Sequence, residues 1–300
     1  ALSALERQGV CFRPPLSALS PLLDKYHQRC YLRDLGLPVP AFQALEPGVE
    51  IPDVTFPIVM KARKYGYDGQ GTAILSDRVS LEETWRKWGN PSVLLEAFVP
   101  FDRELAVVVA RSVSGEVALY PIVETQQEQQ VCRRAIVPAN LASSEIEQCE
   151  AIARTLMEQL GAIGVFGIEL FLTLDGKVWV NEIAPRTHNS GHFSLDACET
   201  SQFAQHLRAV SDRPLGSTAL VSSGAVMVNL LGYESAQSDY LEKRDRLAQL
   251  PNAVVRWYGK SHSRPGRKLG HVTVRLDGSM EQLRDRALAV AGEIESIWYP

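Results

Sequence analysis

Residues 167–183 read GIELFLTLDGKVWVNEI. Two apolar runs flank Asp175-Gly176, a dipeptide that favours a hairpin closed by a two-residue type I′ turn. With that loop Glu169 stands directly opposite Glu182, on one face of the ladder. Like charges opposed across a sheet destabilise it, and burial adds to the cost. The neighbours expected on that face are Phe171, Val178 and Val180, all apolar. A divalent cation between the carboxylates resolves the conflict. Two hard oxygen ligands, completed by phosphate and water, suit Mg²⁺. The plain alternative is two solvated glutamates on a hairpin edge, and a β-bulge would break the register the pairing rests on.

The polar cluster continues past the strand, in NEIAPRTHNSGH at 181–192. Upstream, residues 56–75 read FPIVMKARKYGYDGQGTAIL. A strand brings in Lys61, and a loop with Gly66, Gly69 and Gly71 returns to a second strand. Glycines let backbone N–H groups approach phosphate oxygens. No G-K-[ST] follows and the next element is a strand, so this is a hairpin lid rather than a Walker loop. Lys61 lies in an apolar strand and needs an anionic partner. An ordinary surface loop is the competing reading.

Composition sets the frame. The chain has 300 residues, 45% hydrophobic and 22% charged, with net charge −4, values ordinary for a globular protein. No global basic field draws it to nucleic acid or membrane. Five cysteines, odd in number, widely spaced and without C-x-x-C, argue against disulfides or zinc and for a reducing, cytoplasmic setting. No apolar run approaches the ~20 residues of a membrane span. The first residues show no signal-peptide pattern. They begin without Met and inside a helical stretch, so residues 1–14 are expected to be the remnant of a further domain.

Periodicity predicts helices at 3–8, 21–36, 81–88, 144–160, 195–210, 239–249 and 280–292. Strands are expected at 10–12, 56–62, 72–75, 92–95, 104–110, 117–123, 131–136, 165–174, 177–183, 225–231, 253–258 and 272–276. A composition break at 212–216 divides 15–211 from 212–300, and a lid subdomain is placed at about 37–95.

Taken together, MKARKYGYDGQGT, LLEAFVPFDRELAVVVAR, GVFGIELFL with VNEIAPRTHNSGH, and WYGKSHSRPGRKLGHV resemble the N5-carboxyaminoimidazole ribonucleotide synthetases, ATP-grasp enzymes of purine biosynthesis. The resemblance spans almost the whole chain. It implies an α+β architecture: an ATP-grasp fold of two α/β subdomains with antiparallel sheets, plus a small C-terminal α/β domain. It implies a ligase that uses ATP, Mg²⁺ and bicarbonate to carboxylate aminoimidazole ribonucleotide through carboxyphosphate. Family members tend to be homodimers.

On the same resemblance Lys25 and Lys61 meet ATP phosphates. Gly66, Tyr67, Asp68, Gly69, Gln70, Gly71 and Thr72 form the lid. Glu96, Ala97, Phe98 and Val99 hold the adenine edge, partly by backbone, and Glu104 binds ribose. Glu169 and Glu182 bind Mg²⁺, with Asn181 beside the phosphates. Arg186, His188, Asn189 and Ser190 cradle bicarbonate and carboxyphosphate. Lys260, Arg267 and Lys268 meet the substrate phosphate or the reacting carboxylate. Gln127 stands where the family often has His, so it can exchange hydrogen bonds but not carry charge. Thr187 stands where Pro is usual. His27, His192, His206 and His271 are read as structural. A nucleotide-binding fragment without turnover and a formate-using transformylase remain open alternatives.

Overall fold

The computed structural model describes residues 2–64, 71–128 and 130–300. Thirteen strands among these residues build two sheets. The smaller contains β1 (Phe42–Leu45), β2 (Ile58–Ala62), β3 (Thr72–Leu75) and β4 (Val93–Ala97), in the order β1-β4-β2-β3. The larger contains β5 (Phe101–Arg111), β6 (Val117–Leu119), β7 (Val123–Glu128), β8 (Val131–Val137), β9 (Gly164–Thr173), β10 (Val178–Ala184), β11 (Gly224–Leu231), β12 (Ala253–Trp257) and β13 (Lys268–Leu276). Its order is β10-β9-β5-β7-β8-β11-β13-β12, with β6 paired to β5. All pairings are antiparallel.

Nine helices among the described residues cover these sheets: α1 (Leu2–Arg7), α2 (Leu16–Leu19), α3 (Lys25–Asp34), α4 (Arg78–Lys87), α5 (Ser143–Gln159), α6 (Ser194–Ala197), α7 (Gln202–Val210), α8 (Leu241–Ala248) and α9 (Met280–Trp298). The longer ones follow their apolar spacing. In α5 the buried residues are Cys149, Ile152, Ala153, Leu156 and Met157, steps of three and four that make one helical face. That face packs on Leu105, Val107, Ile168 and Leu170 of β5 and β9. Each large side chain so buried contributes roughly 1.5–3 kcal/mol. The C-terminal core is built the same way, with Leu283, Ala287, Ala291, Ile294 and Trp298 of α9 against Val226, Val228, Val272 and Val274.

Alternation in β9 places the site. Residues 166, 168, 170 and 172 are buried in the α5 core, whereas Glu169 and Phe171 are half-buried on the other face. Part of that second face lies under α6 and α7, where Val108, Val165 and Phe193 form a separate core cluster. The rest is open, and the small sheet stands over it.

Several expected elements differ. Residues 10–12 form no strand; Val10 and Cys11 are exposed and Phe12 half-buried as they lead into Pro14-Pro15. The segment 117–123 divides into β6 and β7, separated at 120–122. The expected helix at 195–210 is interrupted at 198–201, where Cys198 bridges to Leu220 and Ser201 starts α7 as its N-cap. β1 was not expected; its four residues, FQAL, carry too little pattern.

The hairpin corrects the expected loop. Thr173 N–H donates to the Lys177 carbonyl (3.0 Å) and Gly176 N–H to the Thr173 carbonyl (2.9 Å). The loop is therefore three residues, Leu174-Asp175-Gly176, with Gly176 at φ 74°, a left-handed position that glycine takes without strain. Val178 pairs with Leu172 and Val180 with Leu170, one residue out of the expected register. Val178 and Val180 thus face the α5 core, and Trp179 shares the face of Phe171. A bulge between Val180 and Glu182 then restores the offset, so Glu182 lies directly opposite Glu169 after all.

Candidate functional site

Between the two sheets lies a cleft of about 870 Å³. Lys61 enters from β2, and Glu169, Asn181 and Glu182 from β9 and β10. Glu104 comes from β5 and Gln127 from β7, while Lys260 and Lys268 close the far end.

Lys25 is the first residue of α3. The helix is capped by Asp24, whose carboxylate accepts from the Tyr26 N–H (2.9 Å) and the His27 N–H (3.4 Å) and from Arg63 Nε (2.9 Å). Burial would raise the Asp24 carboxyl, but Arg63 and the two backbone donors outweigh it and hold it low. The cap, worth about 1 kcal/mol, delivers the Lys25 ammonium to the Glu182 carboxylate.

Lys61 does have an anionic partner, and it belongs to the protein. Its Nζ lies 2.6 Å from Glu96 Oε2 and donates to Asn181 Oδ1 at 3.0 Å. Arg29 donates to the other Glu96 oxygen. Burial would raise the Glu96 carboxyl, but Lys61 and Arg29 outweigh it and hold it at about 2. Burial pulls the Lys61 ammonium below its usual range, partly offset by Glu96. The Glu96 side chain is therefore engaged by the two cations, so a ligand would meet this position through its backbone. Ala97, Phe98 and Val99 line the cleft beside it, as does the Phe101–Phe171 ring stack, with centroids 4.6 Å apart.

Glu169 accepts from Asn181 Nδ2 (3.1 Å) and pairs with His188 Nε2 (3.2 Å). A carboxylate only accepts, so Nε2 carries the proton. Nδ1 of the same ring meets Ser190 Oγ at 2.8 Å. Burial would raise Glu169, but His188, Lys25 and Lys61 hold it low and charged. Glu104 is the opposite case: burial, reinforced by the Glu169 charge, pushes it up to about 7. Among the described residues no three His, Cys, Asp or Glu side chains form a metal cluster. What the site offers is two opposed carboxylates with an open cleft above them. That donor set fits a hard cation whose remaining ligands are phosphate and water, the usual habit of Mg²⁺.

Most of the expected site residues converge here. Lys25, Lys61, Thr72, Glu96, Ala97, Phe98, Val99, Glu104, Gln127, Glu169, Asn181, Glu182, Arg186, His188, Asn189, Ser190, Lys260 and Lys268 all line the cleft. Gly71 does not line the cleft; its carbonyl accepts from Ala62 N–H at 2.7 Å, beside Thr72, which does. Gly66, Tyr67, Asp68, Gly69 and Gln70 lie outside the described residues. Arg267 does not line the cleft; its guanidinium donates to the His262 carbonyl (2.7 Å) on the exposed side. Asn189 has its amide exchanged reciprocally with Asn229 (2.7 and 3.0 Å), which limits what it can offer a ligand.

Sequence reasoning missed other residues. His192 and Tyr258 line the cleft, and Tyr258 Oη meets Nδ1 of the fully buried His271 at 2.8 Å. Arg284 of α9 holds buried Glu124 through two bonds of 2.9 Å. Arg29 was also missed; it is buried with Gln28 and Leu32 on the inner face of α3, and only its place one helical turn after Lys25 pointed to it.

The ATP-grasp domain family matches residues 30–203, and the phosphoribosylaminoimidazole carboxylase C-terminal domain matches residues 225–286. The chain is 51% identical to the N5-carboxyaminoimidazole ribonucleotide synthase of Synechococcus elongatus, covering 99% of this chain and 76% of that protein. A crystal structure of carboxyaminoimidazole ribonucleotide synthase from Aspergillus clavatus complexed with ATP superposes with TM-score 0.86 at 30% identity, over 97% of this chain and 79% of that one. A second structure from that organism, in complex with ADP and 5-aminoimidazole ribonucleotide, superposes with TM-score 0.86 at 28% identity, over 99% and 79%.

Proposed function

The chain belongs to the N5-carboxyaminoimidazole ribonucleotide synthase family of ATP-grasp enzymes, and from that premise we propose how its cleft carries out the family's reaction. It is an ATP-dependent carbon–nitrogen ligase that carboxylates 5-aminoimidazole ribonucleotide. The observation that carries the reading is the opposition of Glu169 and Glu182 across β9 and β10, on the floor of a cleft walled by Lys25 and Lys61.

Lys25 and Lys61 bind the nucleotide phosphates, and Asn181 orients them between Lys61 and Glu169. Glu169 and Glu182 would hold Mg²⁺, which when bound neutralises phosphate charge. Ala97 to Val99 receive the base, and Glu104, Gln127 and the lid from Gly66 to Thr72 complete the nucleotide site.

Bicarbonate is a weak anionic nucleophile approaching a polyanion. Arg186, with His188 and Ser190, offsets that repulsion and holds bicarbonate in line with the terminal phosphate. A bicarbonate oxygen bonds to phosphorus and ADP leaves. The substrate amine then attacks the carboxyl carbon of carboxyphosphate, and phosphate leaves. Enclosure between the two sheets keeps water from the short-lived carboxyphosphate. Lys260 and Lys268 meet the ribonucleotide phosphate, and Arg267 is carried with them as a flanking cation. The wide spacing of the cysteines supports a cytoplasmic setting, and the family habit supports a homodimer, which light scattering tests.

The deciding experiment supplies ATP, Mg²⁺, aminoimidazole ribonucleotide and ¹³C-bicarbonate and reads product by NMR. Labelled carbamate formed one-to-one with ADP is expected. Label entering only from ¹³C-formate in a parallel reaction, or ATP binding without any phosphate release, would overturn the assignment in favour of a transformylase or a non-turning-over module.

A further inference from the structure

Arg29 lies within α3 and its side chain is only 3% exposed. Its guanidinium serves three acceptors on two sheets. It donates to the Glu96 carboxylate on β4, to the Val180 carbonyl at 3.0 Å and to the Asn181 carbonyl at 2.5 Å, both on β10. β10 is the end strand of the large sheet. Helix α3 takes the place of the strand that would lie beyond it. Gln28 exchanges two hydrogen bonds with Ile183 (3.0 and 3.2 Å), and the Val180 N–H donates to the Pro38 carbonyl (2.8 Å).

The bulge falls at the residues Arg29 grips. Strand alternation sends consecutive side chains to opposite faces, so Asn181 and Glu182 should not share one. The bulge between Val180 and Glu182 overrides that rule, and both line the cleft. A bulge leaves backbone groups outside the ladder, and such groups require other partners.

We propose that Arg29 is a positioning residue with two separable effects: its fork on the Val180 and Asn181 carbonyls holds the bulge that turns Asn181 and Glu182 into the cleft, and its charge on Glu96 leaves Lys61 free to attract phosphate. The second effect is one of charge balance. Arg29, Glu96 and Lys61 together carry one net positive charge; without Arg29 the other two cancel. A lysine at 29 keeps the charge but is a point donor that cannot span a carboxylate and two carbonyls. The inference rests on Glu169 and Glu182 being the metal pair.

The test measures ADP affinity by calorimetry with and without Mg²⁺, on the full chain, for the parent, Arg29→Lys, Arg29→Met and Glu169→Gln. Arg29→Lys is expected to keep the parent's metal-free affinity but to lose roughly tenfold of the enhancement by Mg²⁺, the scale of lost support behind a ligand. Amide exchange at Asn181 and Glu182 should quicken in this variant with no metal present. Arg29→Met should lose metal-free affinity as well. A merely structural Arg29 would instead shift melting temperature and both affinities together, and that result refutes the proposal. Should Arg29→Lys keep full Mg²⁺ enhancement while Glu169→Gln loses it, the positioning role is wrong and the metal pair stands. Should Glu169→Gln also keep it, the metal pair fails and the role toward it falls with it. If Arg29→Lys does not fold, the neutral Arg29→Gln takes its place: it should lose metal-free affinity as Arg29→Met does and lose the Mg²⁺ enhancement besides, and full enhancement by Mg²⁺ in that variant refutes the positioning role.

Discussion

Gly167 is the floor beneath His188, and one added methyl group there tests the polar chain above it. A Cβ at position 167 would lie 2.4 Å from His188 Cβ and 2.6 Å from its Cγ. Carbon atoms pack at ~3.5–4.0 Å, so the imidazole must retreat by about 1 Å. The strand cannot yield instead, because Gly167 is paired on both sides, with Val108 of β5 and Ala184 of β10. The His188–Glu169 contact, now 3.2 Å, would open to about 4 Å, beyond hydrogen-bond reach. The Ser190 contact of 2.8 Å would be disturbed with it. Overpacking of this kind costs about 1–3 kcal/mol of stability, and a 1 Å misplacement near the chemistry can cost about 10²-fold in rate. Gly167→Ala is therefore expected to bind ATP almost as the parent does, because Lys25, Lys61 and the 97–99 wall lie elsewhere. Its kcat for bicarbonate-dependent ADP release should fall roughly a hundredfold. A coupled ADP assay run beside calorimetric ATP binding separates the two quantities. Parental turnover in a folded variant would refute the role given to His188, and equal loss of ATP binding would show general damage instead.

Three further outcomes are expected. Glu182→Gln should abolish Mg²⁺-dependent turnover while sparing the fold, since half-exposed Glu182, at 39%, gives up only its contact with Lys25; unchanged turnover counts against the metal pair. Arg284→Ala strands the buried Glu124 carboxylate, which keeps only Gln126 at 2.9 Å and a distant Arg103; urea unfolding should show a loss of roughly 1–3 kcal/mol, discounted because Arg284 is partly exposed, and no loss would contradict the pairing. Burial, helped by neighbouring positive charge, lowers His192 to about 4 and His271 to about 3. Below their ordinary value of 6.5 the unfolded chain takes up protons that the folded chain refuses, so stability falls as pH drops from 6.5 toward 4, by up to about 1.4 kcal/mol per pH unit for each group; His271→Gln should flatten that limb in thermal melts at pH 7 and pH 5, and an unchanged slope would refute the assignment.

Much of the site was legible because it is carried by residue types in short segments. The opposition of Glu169 and Glu182 was reached from a two-residue loop, yet the real loop has three residues and the ladder bears a bulge. The two departures cancel, so the pairing was right through a register that is wrong between Lys177 and Val180. Nothing within 167–183 announces the bulge; its support is Arg29, more than 150 positions away, which no local pattern links to it. Lys61 was rightly read as needing an anion, but burial cannot say whether that anion is a ligand or Glu96. Asn189 shows the same limit, since its exchange with Asn229 depends on β11 lying near the 189–191 turn. Long amphipathic helices such as α5 were readable because packing follows their spacing, whereas β1, four residues long, lacks enough pattern to register.

The composition break at 212–216 looks like a seam in the chain, yet the hydrogen-bond ladder crosses it. β11 pairs with β8, from Ala225 opposite Val137 to Val228 opposite Arg134, and all eight residues of β11 are buried. A gene split at that break would yield two polypeptides, each with one bare strand rim made for the other. Rims of that kind invite sticking and precipitation when left alone, so the halves should be recovered in soluble form when made together in one cell and poorly when made apart.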